Sequence, residues 1–374
     1  MRAPGRRRAL ARTLKVDATR LRIVAGLLLI LSMVVLILAA GAARAEPAKW
    51  AIAVHGGAGV IERKDLTPEA EAAYRAAMTH AVEKGSAILR SGGSSLDAIE
   101  AVIRDLEDDP LFNAGRGAVF TAAGRNELDA SIMDGSDMRA GSVAGVTTVK
   151  HPITLARAVM ERSPHVMMIG EGAEAFARTV GMEIVPRSWF FTERRWGQLV
   201  EVLTAKGLPI PSRPTGVPPA PVAPTGGLAG IQLDDHRFGT VGVVAVDQAG
   251  HIAAGTSTGG LTAKQFGRVG DAPVIGAGTW AGRGCAVSAT GTGEYFIRLS
   301  VARDVCGLVH SGGMTLQQAA DAKIAEVGSI GGDGGLIALA QDGTIAFALN
   351  TPGMYRGSAS STQPVRVAIF ADER

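Results

Sequence analysis

Cysteine is nearly absent from this sequence: the chain of 374 residues has two, Cys285 and Cys306. An exported protein could join them, but a chain of this size does not depend on one bridge, and we expect free, buried thiols. Neither cysteine is followed by the His and carboxylate pattern of a thiol enzyme. No CxxC or HExxH spacing is present, so the sequence does not indicate a zinc site.

An excess of positive charge is also missing once the N-terminal residues are set aside. Residues 1–22 are basic, residues 23–43 are apolar, and Ala43 and Ala45 are small residues at a cleavage position. This pattern predicts a secretory signal peptide, residues 1–45, and a periplasmic or secreted protein. The alternative is an uncleaved membrane anchor, because the apolar run is long enough to span a bilayer.

Removal of this leader reverses the sign of the net charge. Lys and Arg fall from 38 to 29 and Asp and Glu from 35 to 34, so the net charge changes from +3 to −5. The mature chain therefore gives no support for nucleic-acid binding. About 330 residues remain, which is enough for one large domain or two small ones.

Strands and helices alternate in the first half of the chain. Thr67 and Pro68 have the residue types that open a helix, and Ser94 opens the next one with Asp97 three residues on. The apolar patterns predict further elements: strands over 50–59, 141–149 and 165–170, and helices over 152–162, 172–180 and 192–206.

Proline interrupts this pattern. Seven of the 17 prolines lie between Pro209 and Pro224, among Gly, Ser and Thr. Such a stretch neither packs nor forms ladder hydrogen bonds, so we expect a mobile Pro-rich linker over about 207–239. Composition alone equally allows an ordinary linker between two domains.

Strands dominate after the linker. The patterns predict one hairpin over 240–258, a second over 334–350, and a strand from Cys285 that continues into a helix ending near Val305, with another helix over 315–327. Strands without helical crossovers favour antiparallel sheets, with helices on their outer faces. The sequence therefore predicts a layered α/β sandwich.

Thr240 follows Gly239 directly and opens a valine-rich stretch. A threonine hydroxyl needs a neighbouring base to act as a nucleophile, and no Ser–His–Asp arrangement is evident. If the chain cuts itself between Gly239 and Thr240, the new α-amine, with an ordinary pKa of about 7.7–8.0, provides that base. Small Gly239 allows the strained turn that this cut requires.

Two glycine–threonine clusters follow, TSTGG over 256–260 and ATGTGE over 289–294. Their hydroxyls and unshielded backbone N–H groups suit an oxyanion hole. Arg268 and Asp271 lie three residues apart and match an amino-acid head group, the guanidinium for the α-carboxylate and the carboxylate for the α-ammonium. A surface salt bridge is the alternative for this pair taken by itself.

Together these stretches resemble the isoaspartyl peptidases and plant-type L-asparaginases, which are N-terminal-nucleophile hydrolases. The matching stretches run from about Trp50 to Arg356 in the family's order, apart from the linker. They are HGGAG, LEDDPLFNAGRGAVF, ELDASIMDG, AGSVAGV, SPHVMMIGEGAEAFA, GTVGVVAVD, TSTGG, GRVGD, SATGTGE and GGDGGLIAL.

The resemblance implies catalytic roles for individual residues. Thr240 would be the nucleophile in both self-cleavage and hydrolysis, and Thr258 would orient its hydroxyl. Thr290 and Gly291 would form the oxyanion hole, and Asn113 would lie beside the nucleophile. No cofactor is implied for this chemistry.

The resemblance also implies a substrate site. Arg268 and Asp271, with Gly291 and Gly293, would hold the α-carboxylate and α-amine of asparagine or of a β-aspartyl dipeptide. A structural sodium ion would be held by backbone carbonyls at Leu106, Glu107, Asp109, Phe112, Ala114 and Arg116.

The implied fold is an α+β, four-layer αββα sandwich made from two self-cleaved chains, an α chain of residues 46–239 and a β chain of residues 240–374, paired as a dimer of αβ units. Export favours an alternative, a glycosylasparaginase-like amidase, although that relative has Asp where this chain has Gly239. A different class of alternative is a non-catalytic exported binding protein of the same fold.

Overall fold

The computed structural model describes residues 49–59, 61–219 and 239–373. The predicted signal peptide and most of the predicted linker lie outside these residues. Twelve strands are present in the described part of the chain: β1 Ala51–Gly59, β2 Leu128–Asp134, β3 Ala140–Val146, β4 Met167–Ile169, β5 Val241–Val246, β6 Ile252–Thr258, β7 Thr279–Gly282, β8 Cys285–Gly291, β9 Gly334–Ala340, β10 Ile345–Leu349, β11 Gly353–Ser360 and β12 Arg366–Phe370.

The helices of the described residues are α1 Pro68–Arg90, α2 Ser95–Asp108, α3 Pro152–Arg162, α4 Gly170–Thr179, α5 Glu193–Ala205, α6 Gly293–Leu299, α7 Val301–Gly312 and α8 Leu316–Ser329. Short 3-10 turns lie at Arg63–Asp65, Gly115–Gly117 and Arg187–Phe190. Within the described ranges, no helix is long and apolar enough to cross a membrane.

The strands form two sheets. One has eight strands in the order β12-β11-β1-β5-β6-β2-β3-β4, and the other has four in the order β10-β9-β8-β7. Among the described residues, neighbouring strands are antiparallel except β3 with β4, which are parallel. The expectation of antiparallel sheets is therefore confirmed, with β4 as a parallel edge strand.

The sheets and helices stack in four layers. Helices α1, α2 and α3 cover the outer face of the eight-stranded sheet, and α7 and α8 cover the four-stranded sheet. The two sheets bury apolar side chains against each other, among them Val244 and Ala254 from one and Ile337 and Leu339 from the other. This is the helix–sheet–sheet–helix order that the resemblance implies.

The predicted helix starts are confirmed by their capping bonds. The Thr67 hydroxyl accepts from the Ala70 N–H at 3.2 Å, and the Ser94 hydroxyl accepts from the Asp97 N–H at 3.1 Å. Each bond satisfies a backbone donor that the first helical turn leaves without a partner.

The predicted helix after β8 differs from the structure. Ser300 adopts left-handed backbone angles, with φ of 48°, and divides the segment into α6 and α7, which ends at Gly312 rather than near Val305. The α7 N–H groups of Ala302 and Arg303 donate to the carbonyls of Ala277 and Gly276. A tertiary contact of this kind leaves no local mark in the sequence.

The expectation of free thiols is wrong: Cys285 and Cys306 form a disulfide, with their Cα atoms 5.6 Å apart. The bond joins β8 to α7 across 21 positions of sequence. Composition could not reveal it, because the two residues meet only through the packing of the helix on the strand.

Removal of this disulfide is expected to destabilise the protein. In the chain-entropy view, a loop of this length contributes about 3 kcal/mol to the free energy of unfolding. We expect the double variant Cys285→Ala/Cys306→Ala to lose about that amount in urea unfolding. A reducing agent should destabilise the wild type and leave the double variant unchanged. Equal stability of the two proteins would contradict this expectation.

The described start of the predicted linker contacts the protein. Arg213 forms an ion pair with Glu193 and lies over the rings of Phe191 and Trp196, at 4.8 and 5.9 Å from their centroids. These contacts differ from the expectation of a stretch that does not pack. The prolines predicted a linker from composition, and composition could not show that Arg213 contacts Phe191 and Trp196.

Candidate active site

Gly239 and Thr240 lie at the start of β5, in the middle of the eight-stranded sheet. The backbone of Gly239 approaches β1 so closely that a Cβ on Gly57 would lie 2.6 Å from the Gly239 Cα. A Cβ on Gly239 would in turn lie 2.6 Å from the Asn113 Cβ. Gly57, in HGGAG, and Gly239 therefore have no side chains that would clash with each other or with Asn113.

The Thr240 hydroxyl is buried and has a defined partner. It donates to the Thr258 hydroxyl at 3.0 Å. The Thr258 oxygen also accepts from the Gly260 N–H at 2.9 Å. Because the Thr258 oxygen accepts from both the Thr240 hydroxyl and the Gly260 N–H, its position is fixed and it orients the Thr240 hydroxyl.

Asn113 links these parts. Its backbone N–H donates to the Gly239 carbonyl at 3.0 Å, and its side-chain amide donates to the Gly260 carbonyl at 2.8 Å. The amide oxygen accepts from the Val119 N–H at 2.9 Å. The carbonyl that precedes Thr240 is thus polarised by one backbone donor.

A pocket opens beside the two hydroxyls. It is lined by Thr240, Thr258, Gly260, Leu261, Arg268, Gly270, Asp271 and Gly291. The structure therefore brings together most of the predicted catalytic and substrate residues, with Gly260, Leu261 and Gly270 in addition. Gly260 belongs to the TSTGG cluster, but the sequence could not show that it faces the pocket.

Arg268, Asp271 and Gly293 converge at one end of the pocket. A Cβ at Gly293 would lie 2.8 Å from the Asp271 Oδ1 and 3.0 Å from the Arg268 Nη2. Glycine at this position leaves the space that both charged groups face. The predicted cation and anion are therefore neighbours in space as well as in sequence.

Arg268 is held in place by a residue that the sequence interpretation missed. Its Nε and Nη2 donate to the two carboxylate oxygens of Glu294, at 2.9 and 2.8 Å. This hydrogen bonding lowers the pKa of Glu294. The bidentate pair uses the Nε and Nη2 edge of the guanidinium. Nη1 is not part of this pair and lies near Gly260 and Gly270, which line the pocket.

Asp271 is buried without full compensation. Burial raises its pKa to about 7, although nearby Arg268 opposes the shift. Its Oδ2 has no hydrogen-bond partner among the described residues. A buried carboxylate with a free oxygen is a strong acceptor for a ligand cation.

A buried ion pair, Lys264 with Asp129, lies near Gly260 of the pocket. Lys264 and Asp129 are 3.7 Å apart, and each side chain is 1 % exposed. The Lys264 ammonium also donates to the Glu127 carbonyl at 2.9 Å. Burial raises the pKa of Asp129, and Lys264 opposes that shift. Neither residue was singled out from the sequence.

Thr290 and Gly291 end β8 on the opposite sheet. The Thr290 hydroxyl accepts from the Ala58 N–H at 3.3 Å, which ties β8 to β1. A Cβ at Gly291 would lie 2.4 Å from the Asp333 carbonyl oxygen. Gly291 therefore packs directly against backbone while it lines the pocket.

The loop after α2, proposed for sodium, folds back on itself. A Cβ at Gly115 would lie 2.2 Å from the Glu107 carbonyl oxygen, and one at Gly117 would lie 2.0 Å from that of Phe112. Carbonyls of Asp109 and Ala114 each accept one backbone N–H and keep a second lone pair. Backbone oxygens are ligands of the kind that hard cations take, and the sodium site stays a prediction. Side chains of His, Cys, Asp and Glu form no candidate metal cluster in the described part of the chain.

The four-layer fold is consistent with the α+β class of N-terminal-nucleophile hydrolases. A family model described as asparaginase matches residues 48–369, and the chain belongs to this family of isoaspartyl peptidases and plant-type L-asparaginases. The resemblance seen in the sequence is thereby confirmed.

Several relatives align over nearly their whole length. The isoaspartyl peptidase of Escherichia coli is 46 % identical over 328 residues, which cover 87 % of this chain and 97 % of the relative. The isoaspartyl peptidase of Salmonella typhimurium is 46 % identical over 82 % of this chain and 94 % of its own. A probable isoaspartyl peptidase/L-asparaginase of Arabidopsis thaliana is 44 % identical over 86 % and 99 %.

Proposed function

We propose that this protein is a threonine amidohydrolase that cuts itself before Thr240 and then hydrolyses β-aspartyl dipeptides and L-asparagine to release aspartate. The observation that supports this most is the pocket that joins the Thr240–Thr258 hydroxyl pair to the Arg268 and Asp271 charges. The Escherichia coli relative is an isoaspartyl peptidase, and the Arabidopsis thaliana relative is a probable isoaspartyl peptidase/L-asparaginase.

Self-cleavage begins with the Thr240 oxygen attacking the Gly239 carbonyl carbon. The Asn113 N–H, 3.0 Å from the Gly239 oxygen, stabilises the negative charge that develops there. The hydroxyl proton passes to the peptide nitrogen, the C–N bond breaks, and the nitrogen becomes the new α-amine while an ester joins Gly239 to the Thr240 oxygen. Water hydrolyses this ester and leaves a Gly239 carboxylate and a free Thr240.

Hydrolysis of substrate repeats the chemistry with the new amine as base. The α-amine takes the hydroxyl proton while the oxygen attacks the side-chain carbonyl of the substrate. Thr290 and Gly291 stabilise the oxyanion, and the amine returns the proton to the departing ammonia or amino acid. Each oxyanion donor typically contributes roughly 3–4 kcal/mol. Water then releases aspartate.

The head group of the substrate is recognised by charge. Arg268 takes the α-carboxylate, with Glu294 holding the guanidinium plane. Asp271 takes the α-ammonium with the oxygen that lacks a partner among the described residues. Asparagine and β-aspartyl dipeptides present the same head group, so one site serves both.

The test is hydrolysis by the purified protein. We expect release of aspartate from a β-aspartyl dipeptide and from L-asparagine, and none from α-aspartyl dipeptides, which lack the side-chain amide. Preference for asparagine that bears an N-linked sugar would instead establish a glycosylasparaginase-like amidase. Binding of these compounds without turnover would establish a binding protein.

Four further features belong to the proposal. The mature protein is exported, begins near residue 46, and assembles as a dimer of αβ units. Backbone carbonyls of the loop after α2 hold a structural sodium ion.

We expect the melting temperature to fall by a few degrees when choline chloride replaces sodium chloride at equal ionic strength, since an ion that binds the folded state stabilises it. An unchanged melting temperature would contradict the sodium site.

A further inference from the structure

A chain of five buried polar side chains crosses the interface between the two sheets, directly behind the active site. We name it the interlayer chain: His55, Ser288, Thr256, Thr279 and Ser131. Each of the five is 0 % exposed. Polar groups at this depth destabilise a fold unless they hydrogen-bond.

The members bond in sequence and alternate between the sheets. His55 Nε2 lies 2.9 Å from the Ser288 hydroxyl, and the Ser288 hydroxyl lies 2.7 Å from that of Thr256. Thr279 donates to Thr256, and Ser131 lies 2.8 Å from Thr279. His55, Thr256 and Ser131 belong to the eight-stranded sheet, whereas Ser288 and Thr279 belong to the other.

Strand register places this chain one step behind the catalytic residues. In β6, Thr256 is two residues before Thr258, and in β8, Ser288 is two residues before Thr290. Residues two apart on a strand point to the same face. Thr258 therefore points to the same face of β6 as Thr256, and Thr290 to the same face of β8 as Ser288. A shift of either strand moves both residues of its pair together.

Strand β5, which follows Thr240, has a glycine where the interlayer chain crosses it. Gly242, two residues after Thr240, pairs with both His55 and Thr256 in register. A Cβ at Gly242 would lie 2.0 Å from the Ser288 Oγ and 2.3 Å from the His55 Nε2. Glycine is therefore required for Ser288 to reach His55 across β5.

Both ends of the interlayer chain contact backbone at or next to active-site residues. Ser131 donates to the Ala272 carbonyl at 2.6 Å, directly after Asp271. At the other end, burial lowers the pKa of His55 to about 3, and a hydrogen bond with the Thr240 backbone opposes the shift. The imidazole is thus neutral at physiological pH and adds no charge beside the nucleophile.

We infer that the interlayer chain is a positioning network, which sets the distance between the nucleophile on one sheet and the oxyanion donors on the other. The inference rests on the proposed function, because it assigns Thr240 and Thr290 to the reaction. Thr240 and Thr258 lie on the eight-stranded sheet, and Thr290 and Gly291 on the four-stranded sheet. A small slide between the sheets would separate them and slow the chemical step, while the charged head-group contacts of Arg268 and Asp271 in the loop between β6 and β7 would remain.

Thr256 offers a matched pair of variants. Thr256→Val keeps the shape and removes the hydroxyl, whereas Thr256→Ser keeps the hydroxyl. We expect Thr256→Val to lower kcat about 10-fold or more, because misplacement of reacting groups is costly, with KM changed less than about 2-fold. Thr256→Ser should recover most of kcat. Ser288→Ala is expected to repeat the loss if Thr256→Val does not fold, and Ser86→Ala, a buried serine on α1 outside the chain, should match the wild type.

A second readout does not depend on activity. Nitrogen-15 NMR of the imidazole, assigned by its absence in His55→Gln, reports the hydrogen bonding of His55. Ser288 lies between His55 and Thr256 in the interlayer chain. A change of the His55 signals in Thr256→Val, restored in Thr256→Ser, therefore shows that the interlayer chain is coupled. Unchanged signals, or equal kcat in the Val and Ser variants, would overturn the inference. If the wild type hydrolyses no substrate, the proposed function fails and the positioning role fails with it, whereas unchanged NMR signals in Thr256→Val beside an active wild type overturn the coupling of the interlayer chain alone.

Discussion

Replacing Thr240 with alanine is expected to leave one uncut polypeptide that hydrolyses neither asparagine nor β-aspartyl dipeptides. The alanine side chain cannot attack the Gly239 carbonyl, so the α-amine that would serve as base is never released. Loss of a nucleophile typically lowers kcat by about 10⁴-fold or more. Gel electrophoresis reports the cut, and release of aspartate reports the hydrolysis.

Thr240→Ser is the matched control, because serine keeps the hydroxyl that donates to Thr258 at 3.0 Å in the wild type. It should still cut itself and hydrolyse substrate, with lower rates because its hydroxyl is less restricted than that of a β-branched residue. Two fragments from the alanine variant would refute the assignment of Thr240.

The second large effect concerns Asp271 and pH. In the proposed function Asp271 binds the substrate ammonium as a carboxylate, and burial raises its pKa to about 7 in the free protein. Below that pH the Asp271 carboxyl of the free enzyme is protonated, and the Thr240 α-amine, with an ordinary pKa of about 7.7–8.0, is protonated as well. The value of kcat/KM should therefore fall about 100-fold per pH unit below pH 7, about tenfold from each group, and only about tenfold per unit in Asp271→Asn. Asp271→Asn should lower kcat/KM about 100-fold or more at pH 8, since it leaves a buried cation of the substrate unpaired.

The same carboxyl should destabilise the fold at high pH. Its pKa is raised from 3.8 to about 7, so the folded state binds a proton that the unfolded state has lost between those values. The free energy of unfolding therefore falls as the pH rises through this window, by about 4 kcal/mol for a shift of this size. Asp271→Asn, which is neutral throughout, is expected to exceed the wild type in stability at pH 8 and to match it near pH 4. An equal difference at both pH values would contradict the assigned pKa.

The sequence was sufficient for much of the site because its motifs are local. TSTGG and GRVGD each place a hydroxyl or a charge next to glycines, and the fold delivers Thr258, Arg268 and Asp271 to one pocket. The roles of these residues remain predictions, while their proximity is a property of the structure. Helix starts at Thr67 and Ser94 were also predictable, because capping depends on residues three apart.

Long-range pairings could not be predicted in this way. Glu294 meets Arg268 across 26 positions, and Cys306 meets Cys285 across 21, through packing that has no local pattern. The members of the interlayer chain are single Ser, Thr and His residues on five strands. In sequence each resembles an ordinary polar residue of a strand, and only the register of two facing sheets aligns them.

The central claim is that the peptide bond between Gly239 and Thr240 is broken by the protein itself. N-terminal sequencing and intact-mass measurement of the purified, active protein test it most directly. We expect two chains, one of which begins Thr-Val-Gly-Val-Val at residue 240, and the other of which begins near residue 46. A single chain that contains both Gly239 and Thr240 and still hydrolyses its substrate would contradict the account.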